Sequence, residues 1–236
     1  MTTTASDLVV GHATEKGPKR PLNADAAAHH VHGGRLAAAI VDGTGSTAEV
    51  ADLAGLAATT AVRVAARRTP VLGIVAASEL CADAENELPT PDGAIVVAAT
   101  RPGRRWLVAW AGDSVAYAAT DGQVKRVTNP HTRGHLLRVK GAAEEEARRA
   151  DHQLMHSLAR VPVYGVWAME AQSDMLVLAS DGLHRLPATE MTGILAAHAC
   201  DPEMCAQQLV KAGRQHSNDD ITVMVLPHPE TPPGWR

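Results

Sequence analysis

Apolar residues along this chain follow two rhythms. Short unbroken aliphatic runs occur at Leu36–Val41, Ala94–Ala99, Trp106–Ala111, Met175–Ala179 and Ile221–Leu226. Runs of this length between turn residues predict buried strands. Ala26–His32 and Arg35–Val41 flank Gly33-Gly34 and read as a hairpin. Val115–Ala119 and Val124–Val127 flank the turn Thr120-Asp121-Gly122, and Asp7–Gly11 reads as a further short strand before a loop over Ala13–Pro21. The second rhythm is helical. Ser46 to about Arg68 carries a mostly apolar face, with Ser46 and Glu49 at capping-box spacing. Thr69-Pro70 breaks it, and Val71–Asn86, Thr189–Ala199 and Pro202–Gln215 read as three more helices. Asn129–Asp151 is polar, with an exposed helix expected at Glu144–Arg149. Four prolines after Leu226 predict an unstructured tail at 227–236.

The order is strands, two helices, many strands, two helices and a strand. Regular β/α alternation is missing, so a doubly wound or barrel fold is not expected; helices segregated onto largely antiparallel sheets fit better. No internal repeat or linker divides the 236 residues, which read as one domain over 1–226. Aromatic residues are 3% of the chain and Phe is absent, so the core must be built from Ala, Val, Leu and Ile. A net charge of −4 argues against a nucleic-acid or anionic-lipid binder. No apolar stretch reaches the roughly 18 residues of a membrane span. Met1–Asp7 lacks the pattern of a secretory leader. Cys81, Cys200 and Cys205 form no disulfide framework or zinc pattern and read as reduced thiols, so a cytoplasmic protein is expected.

Carboxylates carry the chemistry. Asp42-Gly43, Gly112-Asp113-Ser114 and Asp181-Gly182 each follow an apolar run, and Asp219-Asp220 precedes one. Ionised carboxylates gathered in a low-dielectric place are costly and repel one another. Divalent cations relieve both problems, and short carboxylates, a backbone carbonyl and water are the ligands Mg²⁺ or Mn²⁺ takes. Any one Asp-Gly after a strand is equally a common turn; four sites together shift the balance. Gly43-Thr44-Gly45-Ser46-Thr47 lacks the lysine of a phosphate loop, and no Gly-x-Ser-x-Gly elbow or His-Glu-x-x-His helix is present. The twelve histidines are scattered except for His29, His30 and His32 beside the hairpin turn.

Five segments in order resemble the metal-dependent serine/threonine phosphatases of the protein phosphatase 2C family, bacterial type. They are Arg20-Pro21-Leu22-Asn23-Ala24-Asp25, Val41-Asp42-Gly43-Thr44-Gly45, Ala111-Gly112-Asp113-Ser114, Ala179-Ser180-Asp181-Gly182-Leu183 and Ser217-Asn218-Asp219-Asp220-Ile221-Thr222. The resemblance implies an α+β fold, a four-layer α/β/β/α sandwich of two mainly antiparallel sheets flanked by pairs of helices. It implies two or three Mn²⁺ or Mg²⁺ ions. Asp42 would bridge two of them, the Gly43 carbonyl would ligate one, Asp181 and Asp219 would complete a shell, and Asp113 would serve a third ion. Asp25 would hydrogen-bond metal waters and Arg20 would grip the substrate phosphate. It also implies a flap at about 132–160, and a monomeric signalling enzyme that dephosphorylates proteins and opposes a Ser/Thr kinase.

Some positions depart from the family's pattern: Ala24, Thr44, Val115, Asn129-Pro130 and Asp220. Thr44 leaves the proton donor to the leaving group unassigned. Alternatives are a catalytically weak member that binds a regulatory partner, and a hydrolase of small phosphomonoesters.

Overall fold

The computed structural model describes residues 9–81 and 91–231. Ten strands form two five-stranded sheets in which every pairing is antiparallel. One sheet has the order β2 (Asp25–His32), β3 (Arg35–Gly43), β4 (Gly93–Arg101), β5 (Arg105–Ala111), β8 (Trp167–Gln172). The other has the order β1 (Gly11–Glu15), β10 (Ile221–Pro227), β9 (Met175–Ala179), β6 (Val115–Thr120), β7 (Gln123–Arg126).

The unbroken aliphatic runs have a direct cause. Along β3, Ala37, Ala39 and Val41 pack toward α1 (Ala48–Arg67) and α2 (Pro70–Ser78), while Leu36, Ala38 and Ile40 pack into the space between the sheets. Side chains alternate along a strand, so a strand covered on both faces needs apolar residues at every position. The opposite sheet packs Val177, Ala179, Val223 and Val225 against α6 (Ala188–Ala197) and α7 (Pro202–Arg214), and turns Leu176, Leu178, Met224 and Leu226 inward. The result is the four-layer α/β/β/α sandwich. Trp106 and Trp110 fill the inter-sheet layer, and alanines from α1 form much of the outer helix–sheet contact. That division accommodates a core without Phe.

Several expectations need correction. The cap of α1 is Thr47, whose hydroxyl accepts from Val50 N at 3.3 Å; Ser46 instead donates to Leu22 O at 3.4 Å. The first described strand is Gly11–Glu15, so Ala13–Glu15, expected in a loop, pairs with β10. Residues 7 and 8 lie outside the described residues. The second helix ends at Ser78 and tightens into a 3₁₀ turn at Glu79–Cys81; the rest of the expected span lies outside the described residues. Two elements had no apolar rhythm to betray them: the largely exposed edge strand β8, and α3 (Arg133–Val139), which precedes the expected α4 (Glu144–Arg149). A short α5 (Val161–Tyr164) completes the set. The tail begins later than expected: Pro227 pairs with Met175, and the backbone N–H of buried His228 donates to Asp174 O at 2.8 Å; residues 232–236 lie outside the described residues.

Candidate active site

The expected site residues arrive at one rim of the sandwich from separate strand ends. Asp42 lies near the end of β3 and stands directly opposite Asp25, the first residue of β2. Asp113 sits in the crossing from β5 in one sheet to β6 in the other. Asp181 opens a 3₁₀ turn two residues after β9, and Asp219 lies two residues before β10. The Asp181 N–H donates to Asp42 Oδ2 at 3.3 Å, and Arg20 forms an ion pair with Asp219.

Electrostatics shows how crowded the rim is. Asp113 is buried, and Asp25, Asp42 and Asp181 are partly buried. Burial is the largest influence on each, and neighbouring carboxylates add to it. The Asp113 carboxyl is pushed up to about 7 by burial and by Asp181, and Asp181 up to about 6 by burial and by Asp219. Asp42 is pushed well above its ordinary range by burial, then by Asp181, Asp25 and Asp113. Asp25 is raised to about 7 by burial, against hydroxyls of Ser180 and Thr222 that favour its ionised form. Its Oδ2 is buried without a hydrogen-bond partner.

That arrangement tests the fit of a divalent cation. The donors are hard carboxylate oxygens, their charges are mutually unfavourable, and one buried oxygen lacks a partner; all three features suit Mg²⁺ or Mn²⁺. As the side chains stand, no three acidic, His or Cys side chains among the described residues close around one point. Asp219 is turned to Arg20. The donor chemistry therefore fits, while the shell is not closed in advance.

The glycines are explained by close approach. A Cβ on Gly43 would lie 2.4 Å from Val50 Cγ1 and 2.7 Å from Ala24 O. Gly112 has φ of +105°, and a Cβ there would meet Ala94 Cβ at 2.4 Å. His131 fixes this turn from both sides. Its Nδ1 accepts from Gly112 N at 3.1 Å, and its own N–H donates to Gly112 O at 3.0 Å. The ring lies 4.4 Å from that of Trp167, and burial depresses its basicity to about 4.

No family model matches the chain. The protein described as "Probable protein phosphatase 2C 10" of Arabidopsis thaliana is 30% identical over 183 residues, which is 68% of this chain and 65% of that protein. A PPM Ser-Thr phosphatase of Mycobacterium smegmatis, solved in complex with cacodylate, superposes with a TM-score of 0.73 at 26% identity over 94% of this chain and 98% of its own. The serine/threonine phosphatase of S. agalactiae superposes with a TM-score of 0.82 at 16% identity, covering 94% of this chain and 99% of the other. This chain belongs to the protein phosphatase 2C family. A Listeria relative and the S. agalactiae and Staphylococcus aureus structures are named serine/threonine phosphatases, and the chain spans less than two thirds of the length of the curated relatives it matches.

Two departures from the phosphatase motifs have structural causes. Asp220 is 5% exposed and accepts from Gly17 N at 2.7 Å through Oδ1 and from Ala24 N at 3.0 Å through Oδ2. An Asn could accept only one of these bonds. Asp220 thus clasps the loop that carries Arg20; the doubled Asp before a strand was the signal for it, hidden beside the more conspicuous Asp219. Val115 is fully buried against the outer helices, where a guanidinium has no place. Arg126, from the adjacent strand β7, brings positive charge to Asp113 instead. Only pairing register reveals that substitution: Arg126 stands opposite Tyr117.

A cleft of about 790 Å³ runs from Asp113, Asp181 and Asp219 to α3 and α4. Another hollow of about 410 Å³, between the β6–β7 turn and the end of α6, has mainly apolar walls and lies at the opposite end of β6 from Asp113. No helix among the described residues is long and apolar enough to cross a membrane.

Proposed function

We propose that this chain hydrolyses phosphoserine and phosphothreonine in proteins, with Mn²⁺ or Mg²⁺ held by Asp42, the Gly43 carbonyl, Asp113, Asp181 and Asp219. The observation that carries this reading is the convergence of buried, mutually repelling carboxylates on one rim of a phosphatase-family fold. Bound there, divalent cations supply the positive charge that lets these carboxylates ionise together and the acidity that activates water near neutral pH.

The protein's own residues do the rest. Arg20 reaches the rim with a planar fork suited to phosphate oxygens, and engaging substrate requires it to release Asp219. The Asp220 clasp and the 3.5 Å contacts of Arg20 Nη1 to Gly45 O and Ser46 Oγ hold that fork in place. Asp25, which stands opposite Asp42 in the ladder and whose buried Oδ2 has no hydrogen-bond partner, orients water at the rim. The segment 132–160 covers the cleft as a flap on a single phosphatase domain. We place the enzyme in the cytoplasm as a monomer opposing a Ser/Thr kinase.

The test is hydrolysis of p-nitrophenyl phosphate and a phosphothreonine peptide with Mn²⁺, in wild type and Asp181→Asn. Turnover should depend on Mn²⁺ and vanish with chelator and in the variant. A folded protein with no Mn²⁺-dependent turnover refutes the proposal. One observation favours a second reading, a catalytically weak member that captures a regulatory partner: the carboxylates stand apart and Asp219 is occupied by Arg20. Partner capture undiminished by Asp181→Asn, with no turnover, is its signature.

A further inference from the structure

The cleft is larger than one phosphate requires, and its charges are not all spoken for. Arg20, Arg104, Arg105, Arg138, Arg149 and Arg214 each pair with a carboxylate. Arg126 and Arg185, which line the cleft, do not. Arg126 donates only from Nε to Thr128 O, at 2.8 Å, and Arg185 has no hydrogen bond or ion pair among the described residues. Arg126 ends β7 beside Asp113, whereas Arg185 follows the 3₁₀ turn begun by Asp181. They therefore come to the cleft from two elements, near the carboxylate rim. His135, Arg148 and His152 line the same cleft from the flap segment. Four arginines face four aspartates in this lining, and with Arg138 and Arg148 already ion-paired, Arg126 and Arg185 are the cations left to meet an incoming anion.

We infer that Arg126 and Arg185 form a second anion site beside the reacting phosphate, so that the enzyme selects phosphoproteins with an acidic or second phosphorylated residue next to the one it hydrolyses. This rests on the phosphatase reading above and adds substrate choice to it. Arg126 and Arg185 feel nearby carboxylates only at a distance, and a guanidinium whose N–H groups bond no carboxylate gains most from an anion that can accept two of them, which carboxylate and phosphate both do. The competing role is simple compensation for Asp113 and Asp181. That role predicts equal loss on every substrate, because it acts on the rim and not on the substrate's flank.

The experiment compares phosphothreonine peptides that differ only in the neighbouring residues: Asp, phosphoserine, Asn or Lys. For wild type, kcat/KM should be about tenfold higher with Asp or phosphoserine than with Asn, and lowest with Lys. The Asp and phosphoserine peptides separate carboxylate from phosphate as the preferred anion. In Arg126→Gln and Arg185→Gln the ratio of acidic to neutral peptide should fall toward one, and Arg185→Lys should restore part of it. No preference in wild type, or an equal drop on all peptides and on p-nitrophenyl phosphate, overturns the inference. Fluorescence anisotropy of the labelled Asp peptide reads the site without turnover. Binding weakened about tenfold by Arg185→Gln supports the second site even where no peptide is hydrolysed, an outcome that would overturn only the phosphatase reading. Unchanged binding in both Gln variants overturns the inference itself.

Discussion

Asp220→Asn tests how the Arg20 loop is held. The carboxylate is 5% exposed and satisfies two backbone N–H groups, those of Gly17 and Ala24. An amide keeps one acceptor and turns an NH₂ group toward the other N–H. The loss is one charge-assisted hydrogen bond plus a buried donor without an acceptor, about 2–3 kcal/mol. Relief of repulsion acts in the other direction, because Asp220 helps to raise the Asp25 carboxyl; but burial is the dominant influence on Asp25, so this offset is the smaller effect. For a domain of this size the net change lowers Tm by about 4–8 °C. Calorimetry, with urea denaturation as a second measure, would read it. Because the same loop carries Arg20, KM for p-nitrophenyl phosphate should rise more than kcat falls. A Tm within 1 °C of wild type, with KM unchanged, would refute the clasp.

Other expectations concern the rim and the fold beneath it. Burial raises Asp25, Asp113 and Asp181, so the native state binds these protons more tightly than the unfolded chain does. The stability they contribute is complete below the ordinary carboxylate range and is lost as pH rises through about 6 to 7. Buried His131 and His184, held down to about 4 and about 3, work in the opposite sense only below pH 6.5. Metal-free protein should therefore lose Tm between pH 6.5 and 8 in a chelator-treated thermal melt, and Mn²⁺ should flatten that slope; an identical slope with and without Mn²⁺ contradicts the reading. Gly112→Ala should destabilise by about 3 kcal/mol or more, since it adds a clash with Ala94 to an unfavourable φ. Gly122→Ala, with φ of +70° and open space, should lose only about 1 kcal/mol; equal urea midpoints for the two would contradict this. Thr47→Ala should cost about 1 kcal/mol of stability in the same titration and Ser46→Ala clearly less; the reverse order would restore Ser46 as the cap.

Much of this molecule can be read from residue order alone, for identifiable reasons. Strands β3, β4, β5, β9 and β10 are buried on both faces, so burial wrote itself into every position of Leu36–Val41 or Ile221–Leu226. The aspartates stood out because each interrupts such a run. Strand β8 left no such trace: it is an exposed edge held by backbone pairing to β5, which any sequence can make. The Asp220 clasp and the Arg126 substitution depend on contacts across the chain, one from 220 to 17 and 24, the other set by which strand neighbours β6. Local pattern carries neither. Thr47 and Ser46 are adjacent hydroxyls that can both cap a helix, propensity slightly favours Ser46, and only the hydrogen bonds show that Thr47 does so.

The opposition of Asp25 and Asp42 has a consequence for how this chain can change. Both belong to one hairpin whose two-residue turn, Gly33-Gly34, lies at the far end of the ladder. Pairing alternates faces residue by residue, so one residue gained or lost in either strand would turn one carboxylate away from the other. The remote turn thus acts as a length gauge for the rim. Replacing Gly33 or Gly34, both at positive φ, strains the turn but keeps the count, whereas a single-residue insertion in either strand, far from any carboxylate, unmakes the alignment.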